Sequence, residues 1–364
     1  MDRYQLRRDR LRKLLRKAEV DSLLVTNFTN VTYLTGFTGD DSYLLITPDR
    51  EVILSDPRYT TQLAEECAGI ELAIRDTGKS MLDSIETVLS RRKPAPLGIE
   101  AQSIVVALRD RIAAAMPKIE LKPTDGLVER LRLIKDKDEV DVIRHAARVA
   151  ERAFEALRAT IRPELTEKQV ADDLEHQMRL MGAKGSSFPP IVAVGPRAAL
   201  PHARPTSSRL GESPLLLVDW GADVGGYKSD LTRVLTTGKI SPKLERVYRV
   251  VLMAQEQGIA AVRPGVTAHE VDAAARTVIE KAGYGKYFGH GLGHGIGLDI
   301  HEAPRLGVNQ SLVLEPGMVV TIEPGIYLPD LGGVRIEDDV LVTKTGHELL
   351  TSAAKQWEEA HVAW

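Results

Sequence analysis

Five side chains carry most of the chemistry in this sequence. They are Asp219 and Asp230 in LLLVDWGADVGGYKSDLT (residues 215–232), His294 in FGHGLGHGIGLDIHEAPRLG (288–307), Glu323 in VVTIEPGIYLP (319–329) and Glu337 in GGVRIEDDVLVT (332–343). If Gly225 and Gly226 form the two-residue turn of a hairpin, Val224 faces Tyr227 and the ladder sets Asp219 opposite Thr232. Asp230 then lies two positions from Thr232, and the two carboxylates leave one face as diagonal neighbours with backbones roughly 7–8 Å apart. Two acids on one face repel unless something positive sits between them. A one-residue change in the turn would send them to opposite faces. Taken alone, the stretch reads better as an exposed hairpin with two solvated aspartates.

The remaining members change that balance. Glu323 and Glu337 are each expected in the middle of a β-branched strand, where an acid is expensive to bury unless it is paired or bound to a cation. Glycine at every second or third place disfavours a helix around His290 and His294, so these are not a helical i, i+4 pair. Two aspartates, two glutamates and a histidine form a mostly hard-oxygen set. Such a set suits two divalent cations bridged by carboxylates better than a thiolate-bound zinc. Cys67, the one cysteine, reads as a buried apolar residue in a reducing compartment.

The elements that must position these residues follow from pattern. A length of 364 residues suggests about two domains, and 43% hydrophobic with 27% charged residues describes an ordinary soluble chain. A net charge of -3 offers no general basic surface for nucleic acid. No run approaches the roughly 18 apolar residues of a membrane span. The basic amino-terminal stretch lacks the apolar centre of a secretory signal and reads as a surface helix with a solvated Arg/Lys face. DSLLVT, SYLLIT and EVILSD are short strands; 61–69 and 79–91 look helical; NVTYLTGFTGDDS is a Gly- and Thr-rich connection; 97–101 and 119–125 are the last extended pieces of an α/β domain. VERLRLIKDKDEVDVIRHAARVAERAFEAL (128–157) reads as one long amphipathic helix with Val140, Ile143, Ala147, Ala150, Phe154 and Leu157 inward. Thr166 caps the next helix, and Gly182 closes it. His145, His176, His269, His347 and His361 read as solvated or capping histidines.

The ordered motifs VDWGADVGGYKSDLTR, GHGLGHGIGLDIHE, IEPGIY and GGVRIEDD, with NVTYLTGFTG upstream, resemble a known family. It is that of the pita-bread metallopeptidases, which includes prolidase (Xaa-Pro dipeptidase), aminopeptidase P, methionine aminopeptidase and the metal-free creatinase. The resemblance covers most of the chain. It implies a creatinase-like α/β N-terminal domain over 1–127 and an α+β pita-bread catalytic domain over 128–364.

By the same resemblance Asp219 binds one metal, Asp230 and Glu337 bridge both, and His294 and Glu323 bind the second. Manganese is the expected metal, with cobalt or zinc as alternatives. The implied reaction is hydrolysis of the Xaa-Pro bond at the N-terminus of dipeptides or short peptides by a hydroxide shared between the metals. Glu323 would move the proton, while His301 and His202 would hydrogen-bond the substrate and the developing oxyanion. Arg335, two residues before Glu337 on an alternating strand, is expected to brace that carboxylate. Arg305 either meets a substrate carboxylate or is a surface arginine, and His290 leans to a structural role. A cytoplasmic homodimer acting on peptides with proline second, with neither nucleic-acid nor membrane partner, completes the expectation. The alternatives are a methionine aminopeptidase-like enzyme and a non-catalytic binding protein of the same fold.

Overall fold

The computed structural model describes residues 2–90 and 95–363. Backbone contacts divide the chain into two compact units, Met1–Arg132 and Leu133–Trp364.

The first unit runs α1 (Arg3–Lys17), β1 (Ser22–Val25), α2 (Phe28–Thr35), β2 (Tyr43–Ile46), β3 (Glu51–Ser55), α3 (Thr60–Glu66), β4 (Glu71–Ile74), α4 (Met81–Leu89), β5 (Leu97–Glu100), α5 (Val106–Ala115), β6 (Leu121–Thr124) and α6 (Leu127–Arg132). Its strands form one mixed sheet in the order β4-β3-β2-β1-β5-β6. β1 pairs antiparallel with β2 and parallel with β5, so its residues are covered on both faces. That double burial is why the strand reads as an unbroken apolar run. Leu24, Leu45, Leu54, Ile85, Leu97 and Ile112 share the core.

Two local features differ from expectation. The first six residues of the Gly- and Thr-rich connection belong to α2, because the Asn27 side chain accepts the Thr29 N–H at one end and Gly36, at φ +83°, closes the other. The buried Arg7 and Arg8 of α1 donate to the carbonyls of Tyr33 and Leu34 at its C-terminal end, at 3.0 and 2.8 Å, so part of the supposed solvated basic face is committed inside the unit. β4 and α5 had no assignment from pattern. The helix read over 79–91 spans Met81–Leu89, and residue 91 of that reading lies outside the described residues.

The second unit begins with α7 (Lys137–Thr160) and α8 (Glu167–Leu180), followed by β7 (Gly185–Ser186), β8 (Ile191–Val194), β9 (Leu215–Trp220), β10 (Ala222–Val224), β11 (Tyr227–Lys228) and β12 (Leu231–Thr236). Helices α9 (Pro242–Ala261) and α10 (Ala268–Lys281) come next. The chain finishes with β13 (Gly293–Gly295), β14 (Glu302–Leu306), β15 (Val319–Ile322), β16 (Gly325–Leu328), β17 (Gly332–Arg335), β18 (Asp338–Val342) and β19 (His347–Leu349). The supposed single helix of 128–157 is α6 and α7, broken where Asp136 and Glu139 form a reciprocal capping box that starts α7 afresh. The apolar stripe read along it is nevertheless buried.

Four small sheets result, in the orders β11-β10-β7, β12-β9-β8, β14-β13-β15-β18-β19 and β16-β17. β9 lies between two cores. Leu216, Val218 and Trp220 face α7 and α8, where the Trp220 ring stacks on Phe154 with centroids 4.1 Å apart. Leu215 and Leu217 face the core of α9 and α10, and by alternation Asp219 shares their side.

Candidate metal centre

The hairpin forms in the expected register, with Val224 opposite Tyr227 and Asp219 opposite Thr232. Gly225 and Gly226 sit at φ +57° and +85°, the left-handed pair a tight two-residue turn requires. The ladder is interrupted halfway, because Gly221 passes so close to Ser229 that a Cβ would lie 1.8 Å from its carbonyl oxygen. Asp230 falls in that interruption, between β11 and β12.

The glutamates differ from their expected mid-strand setting. β15 stops at Ile322 and β16 starts at Gly325 in another sheet, leaving Glu323 at the crossover. β17 stops at Arg335 and β18 starts at Asp338 in another sheet, leaving Glu337 at a second crossover, tied by its N–H to the Thr232 carbonyl at 3.2 Å. His294 sits in β13 at a register shift against β14. Breaks and bulges re-aim side chains, and here they aim several of them at one place.

Ligand atoms of Asp230, His294 and Glu337 all lie within 4.8 Å of one another. His294 Nε2 is 3.3 Å from Glu323 Oε1 and 3.7 Å from Asp230 Oδ2. Its Nδ1 is 3.1 Å from the Gly295 carbonyl, which can only accept, so Nδ1 carries the ring proton. Burial lowers the His294 pKa to about 4, so the ring is neutral and presents the Nε2 lone pair to two carboxylates. Burial, and then the repulsion of Glu337 and Asp219, pushes Asp230 well above the usual carboxylate range. Glu337 is raised by burial and by Glu323 and Asp219, and Glu323 is raised to about 7, chiefly by burial. Oδ1 of Asp219 and Oδ1 of Asp230 are buried and have no hydrogen-bond partner among the described residues.

Asp219, Asp230, His294, Glu323 and Glu337 line one cleft of about 1270 Å³. His202, His290, His301, Arg305 and Arg335 line it too. The His301 ring stands edge-on to His294 with centroids 4.4 Å apart. His202, His301 and Arg305 are exposed at the cleft.

Arg335 does not brace Glu337 directly. Its Nη2 pairs with Asp219, its Nη1 donates to the Tyr327 hydroxyl at 2.8 Å, and its Nε donates to Thr232 Oγ1 at 3.0 Å. Thr232 in turn donates to Glu337 at 2.6 Å. The crossover at Ile336–Glu337 breaks the strand alternation that had placed both residues on one face. His290 receives the Tyr327 hydroxyl at Nε2, 3.0 Å away, while its Nδ1 faces the Gly291 carbonyl at 2.8 Å. Tyr327, Thr232 and Thr321, whose hydroxyl donates to Glu323 at 3.2 Å, were missed as site residues. The signal for Tyr327 was its place in IEPGIY, four residues beyond Glu323.

Divalent cations fit this donor set. Four carboxylates and a neutral imidazole line the cleft, ligand atoms of Asp230, His294 and Glu337 gather within 4.8 Å, oxygens of Asp219 and Asp230 lack donors among the described residues, and the buried Arg335 is spent on Asp219. Such a centre in a deep cleft, fed by the crossovers of a multi-sheet domain, is that of a metal-dependent enzyme.

Comparison with known proteins makes the class specific. The sequence profile of metallopeptidase family M24 matches residues 141–344, and that of the creatinase/prolidase N-terminal domain matches residues 7–134. The chain is similar to the solved Xaa-Pro dipeptidase from Bacillus anthracis, at 39% identity and a TM-score of 0.93 over 99% of this chain and 100% of that one. An X-Pro aminopeptidase structure from Thermotoga maritima MSB8 matches at 34% identity and TM-score 0.88, covering 98% and 100%. The Xaa-Pro dipeptidase of Pyrococcus furiosus is 35% identical over 96% of this chain and 99% of its own. The chain belongs to metallopeptidase family M24, with a creatinase-like N-terminal domain and a pita-bread catalytic domain.

Proposed function

We propose that this metallopeptidase hydrolyses the bond between a first residue and a following proline in dipeptides or short peptides, using a two-metal centre in the domain spanning 128–364. The observation that carries this reading is the neutral His294, whose Nε2 lone pair faces Glu323 and Asp230 at 3.3 and 3.7 Å with Glu337 in the same cluster. Asp219 would hold one ion, Asp230 and Glu337 both, and His294 and Glu323 the second. Divalent cations bound there would supply Lewis-acid activation of water and of the scissile carbonyl. Manganese is the proposed ion, with cobalt and zinc as alternatives, since carboxylates outnumber imidazole in the set.

The chain's own residues account for the rest. Glu323 accepts the proton of the attacking water and returns it to the leaving nitrogen, which in an Xaa-Pro bond is tertiary and has no N–H of its own. His301 and His202, at the open side of the cleft, donate N–H to the substrate and to the oxygen on which charge develops, a contribution of about 3 kcal/mol per donor in comparable sites. Arg335 fixes Asp219, and through Thr232 it also fixes Glu337. Arg305, which lines the cleft, is proposed to meet a substrate carboxylate. Among the described residues no helix is long and apolar enough to cross a membrane. The reading includes a cytoplasmic homodimer.

The test is turnover by the manganese-loaded protein of Ala-Pro, Ala-Pro-Ala and Met-Ala-Ala. Cleavage of the first or second is expected. Cleavage of the third alone would make it a methionine aminopeptidase, and cleavage of none with metal bound would make it a binding protein.

A further inference from the structure

The charged groups that hold the backbone behind the metal centre are supplied partly by the C-terminal segment. Arg233, one of the largest fully buried side chains, donates from Nη1 to the Glu337 carbonyl at 2.6 Å and to the Thr232 carbonyl at 3.0 Å. Its Nη2 donates to Asp338 Oδ1 and to the Ala353 carbonyl, both at 2.7 Å, and its Nε donates to the Ala354 carbonyl at 3.1 Å. The other Asp338 oxygen accepts from Lys355 at 2.6 Å and from Gln255 at 2.7 Å. Thr351 joins the neighbouring residues, since its hydroxyl donates to Asp338 at 2.8 Å and accepts the Asp339 N–H at 3.2 Å. Asp339 then accepts the backbone N–H of Asp230 at 3.1 Å. Both carboxylates proposed to bridge the ions, Asp230 and Glu337, are therefore held through their main chains by one buried network, and that network closes on residues 351–355.

We propose that Thr351 and Lys355 of the C-terminal segment, with Arg233 and Asp338, are positioning residues for the metal centre. Their role is to fix the two bridging carboxylates at the spacing the ions require. The physical need is specific. Ligand oxygens of Asp230 and Glu337 lie within 4.8 Å of each other, where two carboxylates repel, and each residue sits at a strand break where no continuous ladder sets its direction. Without an external frame the pair would relax apart, and ligands of a dinuclear site must hold their placement to a fraction of an ångström. The segment is itself anchored, because Glu151 of α7 accepts the N–H groups of Ser352 and Ala353. Supporting groups of this kind are worth about 10- to 100-fold in metal affinity. The inference rests on the two-metal reading above and goes beyond it in assigning work to side chains that touch neither metal nor substrate.

The test is calorimetric titration of metal-stripped full-length protein with Mn2+, well below its melting temperature, for wild type, Thr351→Val, Lys355→Met and Lys355→Arg. Thr351→Val and Lys355→Met are expected to bind about 10- to 100-fold more weakly, and Lys355→Arg to recover most of the loss. A network that serves only the fold would lower the melting temperature of the stripped variants and leave Mn2+ affinity within about twofold, which would overturn the proposal. If Lys355→Met does not fold, Thr351→Val, which keeps side-chain volume and both cations, decides by itself. Wild-type protein that takes up no Mn2+ would sink the metal reading and this inference with it, whereas tight wild-type binding with unchanged variants would sink this inference alone.

Discussion

Glu100 of the first unit and the aspartates of the cleft in the second are buried in opposite ways. In the first unit Glu100 is 7% exposed and fully furnished with donors, since it accepts the N–H groups of Thr26 and Asn27 at 2.6 and 2.9 Å and the Asn30 amide at 2.7 Å. It stands at the end of a continuous strand and ties that strand to the cap of α2. In the second unit Asp219 and Asp230 are buried as deeply, at 7% and 5%, yet each keeps an oxygen with no donor among the described residues and faces other acids. A carboxylate ringed by N–H groups is a fastener. A carboxylate facing carboxylates requires a cation or a proton between them.

The strongest way to break this contrast is Asp230→Asn. It is expected to abolish metal uptake, measured by elemental analysis after dialysis, and to reduce peptidase activity by at least about 10³-fold while the protein stays folded. The amide keeps the shape but cannot supply a charged bridge between two ions. Full activity in this variant would end the assignment.

A second test uses chelation. In metal-free protein Glu323 has a folded-state pKa raised to about 7 against an ordinary value of 4.5. The folded state then binds its proton more tightly than the unfolded state does. The associated stability is fully present below about pH 4.5 and is lost as pH rises through about 7, by a few kcal/mol. The melting temperature of the stripped protein should therefore fall across this range by several degrees relative to metal-loaded protein, whose cations replace the protons. Parallel pH profiles for the two forms would refute the charge argument.

The smallest expected effect sharpens the other side of the comparison. Glu100→Gln puts an amide donor where only acceptors are wanted and should cost about 1–3 kcal/mol in denaturant unfolding of the first unit. Manganese affinity should not change. A shift in that affinity would show that the acid in the first unit does more than fasten its own fold.

Much of the site was legible from residues alone because it depends on short-range rules. Two adjacent glycines between apolar runs set a turn, the turn set a register, and the register put Asp219 opposite Thr232. The helix caps at Thr166 and Gly182 and the buried stripe of α7 followed from equally local chemistry. Family motifs then pointed to His294, Glu323 and Glu337, and these residues share the cleft with both aspartates. Where reading failed, the deciding partner was distant or the local pattern misled. Asn27 and Gly36 made a helix out of a Thr-rich stretch, and Arg335 paired with a residue 116 positions away instead of its neighbour.

The sequence by itself determined which residue types were available, the pairing of the hairpin and the division into an α/β unit and a catalytic unit of family M24. Only the tertiary structure decided that both glutamates leave their strands at sheet crossovers, that Arg335 belongs to Asp219, and that Thr351 and Lys355 join Arg233, Asp338 and Asp339 in a network bonded to the main chains of Asp230 and Glu337. Periodicity reports the two faces of a continuous element, and it is silent wherever an element stops. Asp230, Glu323 and Glu337 lie at such stops, so their directions were set by contacts between segments that lie far apart in the chain.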